Sequence, residues 1–329
     1  MTEALMFIGG LVLIVAASEL FTNAVEWLGF RLKLASGATG SLLAALGTSL
    51  PETFVPVVAL ISQQPSATSV ASGAVLGSPF LLLGLGVAVT GLAVVLRRRD
   101  PRLHLDRSQA RRDLGVFIGA FSLVLIAIVL PRPVRIVLGI CLLAAYGLYV
   151  RATLRGGGPS EEMPEPLHLL RRRHGEPPTW AVVLQLLVSV GMLVVGSNLF
   201  VSALNDTASA LHADPLTLAL IVVPVATELP ETFNSVLWVR SGDDGLAFGN
   251  VAGSAAFQSC VLGFVGLTFT PWRPGFNGVL GGLLTLGVAI ALLLLLRNGS
   301  ARGRWLLLAG IPWVAYVIAQ IASGGHLGG

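Results

Sequence analysis

Charge is what this sequence has least of. Only 12% of its 329 residues are charged, while 54% are hydrophobic. A water-soluble domain carries roughly a quarter charged residues. Apolar runs such as 113–130 and 276–296 do not fit a soluble core. Cysteine is nearly absent, and Cys141 and Cys260 both lie inside apolar runs. They imply no disulfide framework and no metal spacing. The five histidines, His104, His168, His174, His212 and His326, fall in polar loops or near span ends. They read as solvated side chains rather than metal ligands. The period-2 alternation of a membrane β-barrel is missing too. A net charge of +4 invites a nucleic-acid partner. However, the basic residues sit at the ends of apolar spans, where they report membrane orientation, so no nucleic acid is expected.

What is present is a succession of apolar segments. Ten spans fit them, at 4–28, 36–61, 68–96, 113–130, 134–151, 179–203, 213–239, 244–268, 276–296 and 304–321. The fold class is therefore an all-α polytopic membrane protein with ten transmembrane helices. The first stretch is too long for a signal-peptide core and has a counterpart later in the chain, so it reads as a span. Eighteen of the 21 lysines and arginines fall in loops after odd-numbered spans; only Arg132, Arg135 and Arg273 fall on the other side. The positive-inside rule then makes the odd loops cytoplasmic and both termini extracellular or periplasmic, in an inner or plasma membrane. The longest loop, 152–178, is a cytoplasmic linker. Its centre, 166–174, reads as a solvated segment, with a short basic membrane-surface helix as the alternative.

The chain repeats itself. Residues 44–54 read AALGTSLPETF and residues 223–233 read VPVATELPETF. Ser18, Leu20 and Phe21 recur in register with that pair as Ser197, Leu199 and Phe200. In spans 3 and 8, GAVLGS at 73–78 returns as GNVAGS at 249–254. The expected domains are residues 1–151 (motif 36–82) and 179–329 (motif 214–262). Each holds five spans, an odd number, so the second copy inserts upside down. Two inverted five-helix repeats are a plan of secondary transporters, with the site at the midplane.

The repeated motif puts carboxylates, hydroxyls and a proline inside lipid. Pro51 and Pro230 deprive the carbonyls of Gly47 and Ala226 of helix partners. Such carbonyls are tolerated at membrane depth only against protein or a wet cavity. Thr48 and Glu52 share a helix face, as do Thr227 and Glu231. Ser49 adds a hydroxyl to the first copy, and Glu228 stands at its place in the second. Carbonyl, hydroxyl and carboxylate oxygens are hard-cation ligands. One intramembrane charge costs roughly 2.5–3.5 kcal/mol on insertion scales. No Lys or Arg lies well inside a span, so Glu52, Glu228 and Glu231 need protons or cations from solution. Spans 3 and 8 add Ser78, Ser254 and Gln258 as further candidate ligands, with Asn250 weaker. Gly73 and Gly77 serve close helix packing at least as well as any ligand role. Glu19, in span 1, either lines an ion path or is a buried acid.

GTSLPE at 47–52 and ATELPE at 226–231, each followed by a GxxxGS span, resemble the two α-repeats of the sodium/calcium exchanger family, within the calcium/cation antiporter superfamily. The resemblance implies a midplane site in which Glu52 and Glu231 bind Ca²⁺. Thr48, Ser49, Thr227, Ser78 and Ser254, with nearby carbonyls, bind Na⁺ or Ca²⁺. It further implies that spans 1 and 6 slide to alternate access. The chain departs from the pattern at Glu228, where a serine is usual, and at Pro79 and Leu82, where asparagines are. Gln258 stands where an Asp or Asn is usual. The expected function is a secondary active antiporter exchanging Ca²⁺ or a related cation against Na⁺ or H⁺. These ions are its substrates, and no cofactor is expected. A cation/proton exchanger without Na⁺ coupling is the nearest alternative. An intramembrane enzyme lacks His or Cys partners in the spans, so no enzyme activity is expected. A transport-dead sensor is the remaining alternative, since Leu82 removes one polar ligand.

Overall fold

The computed structural model describes residues 2–31, 49, 52–97, 100–154, 164–170, 176–211 and 214–322. They form ten helical elements: α1 (Thr2–Arg31), α2 (Glu52–Ile61), α3 (Ala67–Leu96), α4 (Arg107–Val129), α5 (Arg132–Leu154), α6 (Thr179–Leu211), α7 (Pro215–Ser241), α8 (Asp244–Phe269), α9 (Gly275–Leu295) and α10 (Gly303–Ala322). Eight are long and apolar enough to cross a membrane. The other two are α2, which is short, and α7, whose purely apolar part is Pro215–Val225. Both carry acids of the repeated motif. Most of the predicted span 2, including Gly47, Thr48 and Pro51, lies outside the described residues.

Local chemistry sets the helix ends. Asp214 caps α7, accepting from the Thr217 N–H at 2.9 Å, with Pro215 at the first position. Gly242, at φ +95°, ends it in the left-handed conformation. Asp106 caps α4 through the Ser108 N–H, and that bond holds its carboxyl below the usual carboxylate range. Inside the helices, proline breaks less than the sequence implies. α7 runs unbroken past positions 224 and 230, and α3 runs past Pro79. Instead, a five-residue π-helical turn follows in α3, at Leu82–Gly86. Its twin in α8 is Gln258–Leu262. The separation matches that of the two GxxxGS copies.

α3 and α8 are the most buried spans and form the interior. α3 runs alongside α7 in the same direction. A Cβ at Gly73 would meet Ala219, and one at Gly77 would meet the Leu220 carbonyl at 2.3 Å and Pro224 at 2.9 Å. That carbonyl is the one Pro224 leaves without its helix donor. Packing is therefore what these two glycines do. At the periphery α1 and α6 pair antiparallel. Gly10 meets the backbone of Phe200, and Arg31, at the other end, hydrogen-bonds Thr179 and the Pro177 carbonyl. At 30 and 33 residues they extend about 45–50 Å. Helices longer than the hydrocarbon core must tilt or emerge from it.

The connections sort onto two faces. Arg97, after α3, pairs with Asp244, after α7, at 2.6 Å. Strands β1 (Arg102–His104) and β2 (Ser300–Arg302) pair antiparallel, joining the α3–α4 and α9–α10 connections. On the opposite face Arg135 hydrogen-bonds the Pro271 carbonyl. Odd connections thus meet odd, and even meet even.

The expectation of a solvated linker, or of a basic surface helix, fails for 164–170. This segment is docked. Leu167 is buried with Ala24, Trp27, Ala181 and Val182. The Glu165 carbonyl accepts from Trp27 Nε1 at 2.9 Å and Asn23 Nδ2 at 3.2 Å, and the Leu169 N–H donates to Gln185 Oε1 at 2.9 Å. Residues 171–175, the basic part, lie outside the described residues.

Candidate functional site: a buried three-carboxylate cluster

Two helices from opposite ends of the sequence bring three acids together. Glu52 comes from the start of α2, and Glu228 and Glu231 from the middle of α7. All three are fully buried, and each offers a carboxylate oxygen within 4.8 Å of the others. Like charges this close, away from water, cannot all persist without protons or a bound cation. The spacing follows from the motif. Glu228 and Glu231 sit three residues apart on one helix face, and the site requires only that α2 present its own glutamate to that face.

The other polar groups come from α3 and α8. Ser78 lies beside Glu228. Gln258 donates from Nε2 to Glu228 Oε1 at 2.8 Å. Asn250 Nδ2 approaches the Glu231 carbonyl at 3.5 Å. Ser254 stands between Asn250 and Gln258 on the same face of α8, one turn from each. Ser49 precedes Glu52 by three residues, and Thr227 donates to the Val223 carbonyl at 3.2 Å. Of the candidates read from the sequence, Thr48 lies outside the described residues, and the rest are buried. Leu82 is also fully buried and offers no oxygen.

Two hydroxyls here carry no motif signal beyond their spacing. Thr232 donates to the Glu228 carbonyl at 3.0 Å. Ser235 donates to the carbonyls of Glu231 at 2.9 Å and Ala247 at 3.1 Å, tying α7 to α8. Each stands four residues after an acid, a relation legible only once those acids are known to matter.

A cavity of about 560 Å³ lies between α1, the docked linker and α7. Glu19, Asn23 and Glu26 line it from α1, and Glu165 and His168 from the linker. Phe233 and Asn234 line it from α7, within one turn of Glu231. His168 Nε2 faces Glu19 Oε1 at 3.6 Å, so this histidine is not simply solvated. Glu19 is largely exposed to the cavity, which decides between its two readings in favour of a lining role.

The oxygens of the cluster are chemically incomplete. Ser49 Oγ, Ser78 Oγ, Ser254 Oγ, Glu228 Oε2, Asn250 Oδ1 and Gln258 Oε1 are buried with no hydrogen-bond partner. Native proteins rarely leave buried polar atoms unsatisfied. An array of hydroxyl, amide and carboxylate oxygens suits a hard cation with six to eight ligands. The donor set fits Ca²⁺ and Na⁺, and no thiolate or imidazole stands in it to favour a softer metal.

Comparison with known proteins agrees with this geometry. The sodium/calcium exchanger protein family matches residues 2–155 and 181–322. A putative antiporter, CaxA, of Alkalimonas amylolytica is 25% identical over 283 residues, covering 80% of this chain and 79% of that protein. The crystal structure of an H⁺/Ca²⁺ exchanger, CAX, superposes with a TM-score of 0.74 at 16% identity, covering 97% of this chain and 82% of that one. A structure of the sodium-calcium exchanger NCX_Mj superposes with a TM-score of 0.61 at 23% identity, covering 98% of both chains. At these identities the two structures speak for the fold.

Proposed function

We propose, from the premise that the chain belongs to the sodium/calcium exchanger protein family, that it is a secondary active antiporter exchanging Ca²⁺ or a related cation against Na⁺ or H⁺. It is a multi-pass membrane protein of a transporter family, not of an enzyme family. The observation that carries the reading is the trio Glu52, Glu228 and Glu231, buried within mutual reach amid unpartnered hydroxyl and amide oxygens.

Ca²⁺ as substrate is balanced in charge by Glu52 and Glu231. Ser49, Ser78, Thr227 and Ser254, with Thr48, complete the oxygen set. Glu228 then carries a proton or yields it when a competing ion enters. Cations of unlike charge contend for one set of carboxylates, and that contest couples the two fluxes. Ions reach the trio through the cavity beside α1, and α1 and α6 move as a pair to change its access. The antiparallel, glycine-mediated contact of α1 with α6 supports that unit.

Ten spans, counting α2 and α7, in two inverted halves at 1–151 and 179–329 account for the paired π-helical turns. The basic connections place 152–178 on the cytoplasmic side of an inner or plasma membrane and both termini outside. A second reading, proton coupling without Na⁺, is favoured by Glu228 itself, a third acid held by Gln258.

The test is Ca²⁺ uptake into proteoliposomes under an imposed Na⁺ or pH gradient. Uptake driven by either gradient supports antiport, and drive by pH alone selects the second reading. Ca²⁺ flux indifferent to both gradients sinks the proposal.

A further inference from the structure

The outer face of the bundle carries a groove of about 430 Å³ between α9 and α10. Its walls are Leu284, Val288 and Leu292 from α9 and Trp305, Leu308 and Pro312 from α10. These follow helical spacing, so each helix turns one apolar stripe to the gap. Val288 and Leu292 form a buried floor, while Trp305 and Leu308 are exposed at the rim.

The groove exists because α10 is pulled elsewhere. Gly91 admits Leu306, Gly303 meets the Gly91 carbonyl, and Gly310 meets Ala88, all along α3. A short 3₁₀ turn, Leu307–Ala309, interrupts α10 at this contact. Held against α3, α10 leaves its sequence neighbour α9 incompletely covered. The mouth lies at the α9–α10 connection. There the Arg304 guanidinium stacks over Trp305, 5.2 Å from the ring centroid. The stretch 275–322 contains Arg297, Arg302 and Arg304 and no acidic residue. The mouth is therefore a positive patch with no acid of its own helix pair, beside an interfacial tryptophan.

We propose that this groove is a lipid site. It seats one acyl chain of an anionic phospholipid whose phosphate binds at Arg304. Charge decides the headgroup, because a basic mouth at the leaflet surface attracts anionic lipid, worth about fivefold in binding per basic residue. Shape decides the tail, because the groove is apolar and open only toward lipid.

Native mass spectrometry of the full chain tests it, after detergent exchange from bilayers of equal phosphatidylglycerol and phosphatidylcholine. The wild type is expected to keep about one phosphatidylglycerol per chain, an ordinary occupancy for a pocket this size. Arg304→Gln is expected to lower retention about fivefold. Gly287→Phe, at a groove-rim position where an added Cβ meets nothing within 4 Å, fills the site without repacking and abolishes retention. Arg273→Gln, on the opposite face, leaves it unchanged. Equal retention of phosphatidylcholine, or retention untouched by both groove variants, overturns the site. So does a dimer that Gly287→Phe disrupts with no change in bound lipid, because a second chain then covers the groove.

Discussion

Glu52 and Gln258 carry different physics at the same site. Glu52 is a charge among like charges, so replacing it removes repulsion as well as a ligand. Glu52→Gln is expected to fold at least as stably as the wild type without cation, since one intramembrane charge costs roughly 2.5–3.5 kcal/mol. It is expected to lose the stabilisation Ca²⁺ confers, about 2.7 kcal/mol at a hundredfold excess over Kd. Thermal unfolding with and without Ca²⁺ separates the two effects, and a variant that keeps the Ca²⁺-dependent rise removes Glu52 from the site. Gln258 acts through Glu228. Gln258→Leu copies the residue at position 82 and strips Glu228 Oε1 of its donor. Ligand-orienting partners typically contribute ten- to a hundredfold in metal affinity, so Ca²⁺ binding is expected to weaken by about that factor. Unchanged binding by isothermal calorimetry would make the pair incidental. The two departures from the family pattern thus meet in space. The sequence showed both but could not pair them, because residues 30 apart on different helices share no periodic relation.

At the scale of elements, the α3–α7 contact holds one wall of the site. Gly77 has the Leu220 backbone oxygen where a Cβ would stand, and backbone cannot rotate away. Gly77→Ala is expected to cost about 1–3 kcal/mol as an overpacked core position. Gly191, in α6, has nothing within 4 Å of an added Cβ. Gly191→Ala is expected to gain about 0.5–1 kcal/mol from helix propensity alone. A denaturation series that fails to separate these two variants would remove packing as the reason for Gly77. Arg97 binds Asp244 with two hydrogen bonds and also reaches the Arg102 carbonyl. Asp244 is nearly buried, so Arg97→Ala is expected to cost about 3 kcal/mol by stranding its charge. Asp244→Asn should recover part of that loss in the double variant, and strict additivity would deny the coupling.

At the scale of the whole molecule, orientation is the testable property. Contacts put the odd-numbered connections together on one face, and the basic residues concentrate there. With Cys141 replaced by serine, a cysteine at Asn298 is expected to resist a membrane-impermeant maleimide in intact cells. A cysteine at Arg273 is expected to react. The reverse pattern would invert the topology while leaving the fold intact.

Membrane class, approximate spans, the sidedness of the connections and the acids of the site were all determined by the sequence alone. Each rests on a local signal: hydropathy over about 20 residues, charge at span ends, or a motif that occurs twice. The tertiary structure decided what depends on distant segments meeting. It placed Glu52 within reach of Glu228 and Glu231, gave Gln258 to Glu228, and docked 164–170 onto Asn23 and Gln185. It also turned the proline signal into paired π-helical turns rather than breaks. Such contacts are set by which faces pack against each other, and one chain's hydropathy carries no record of that choice.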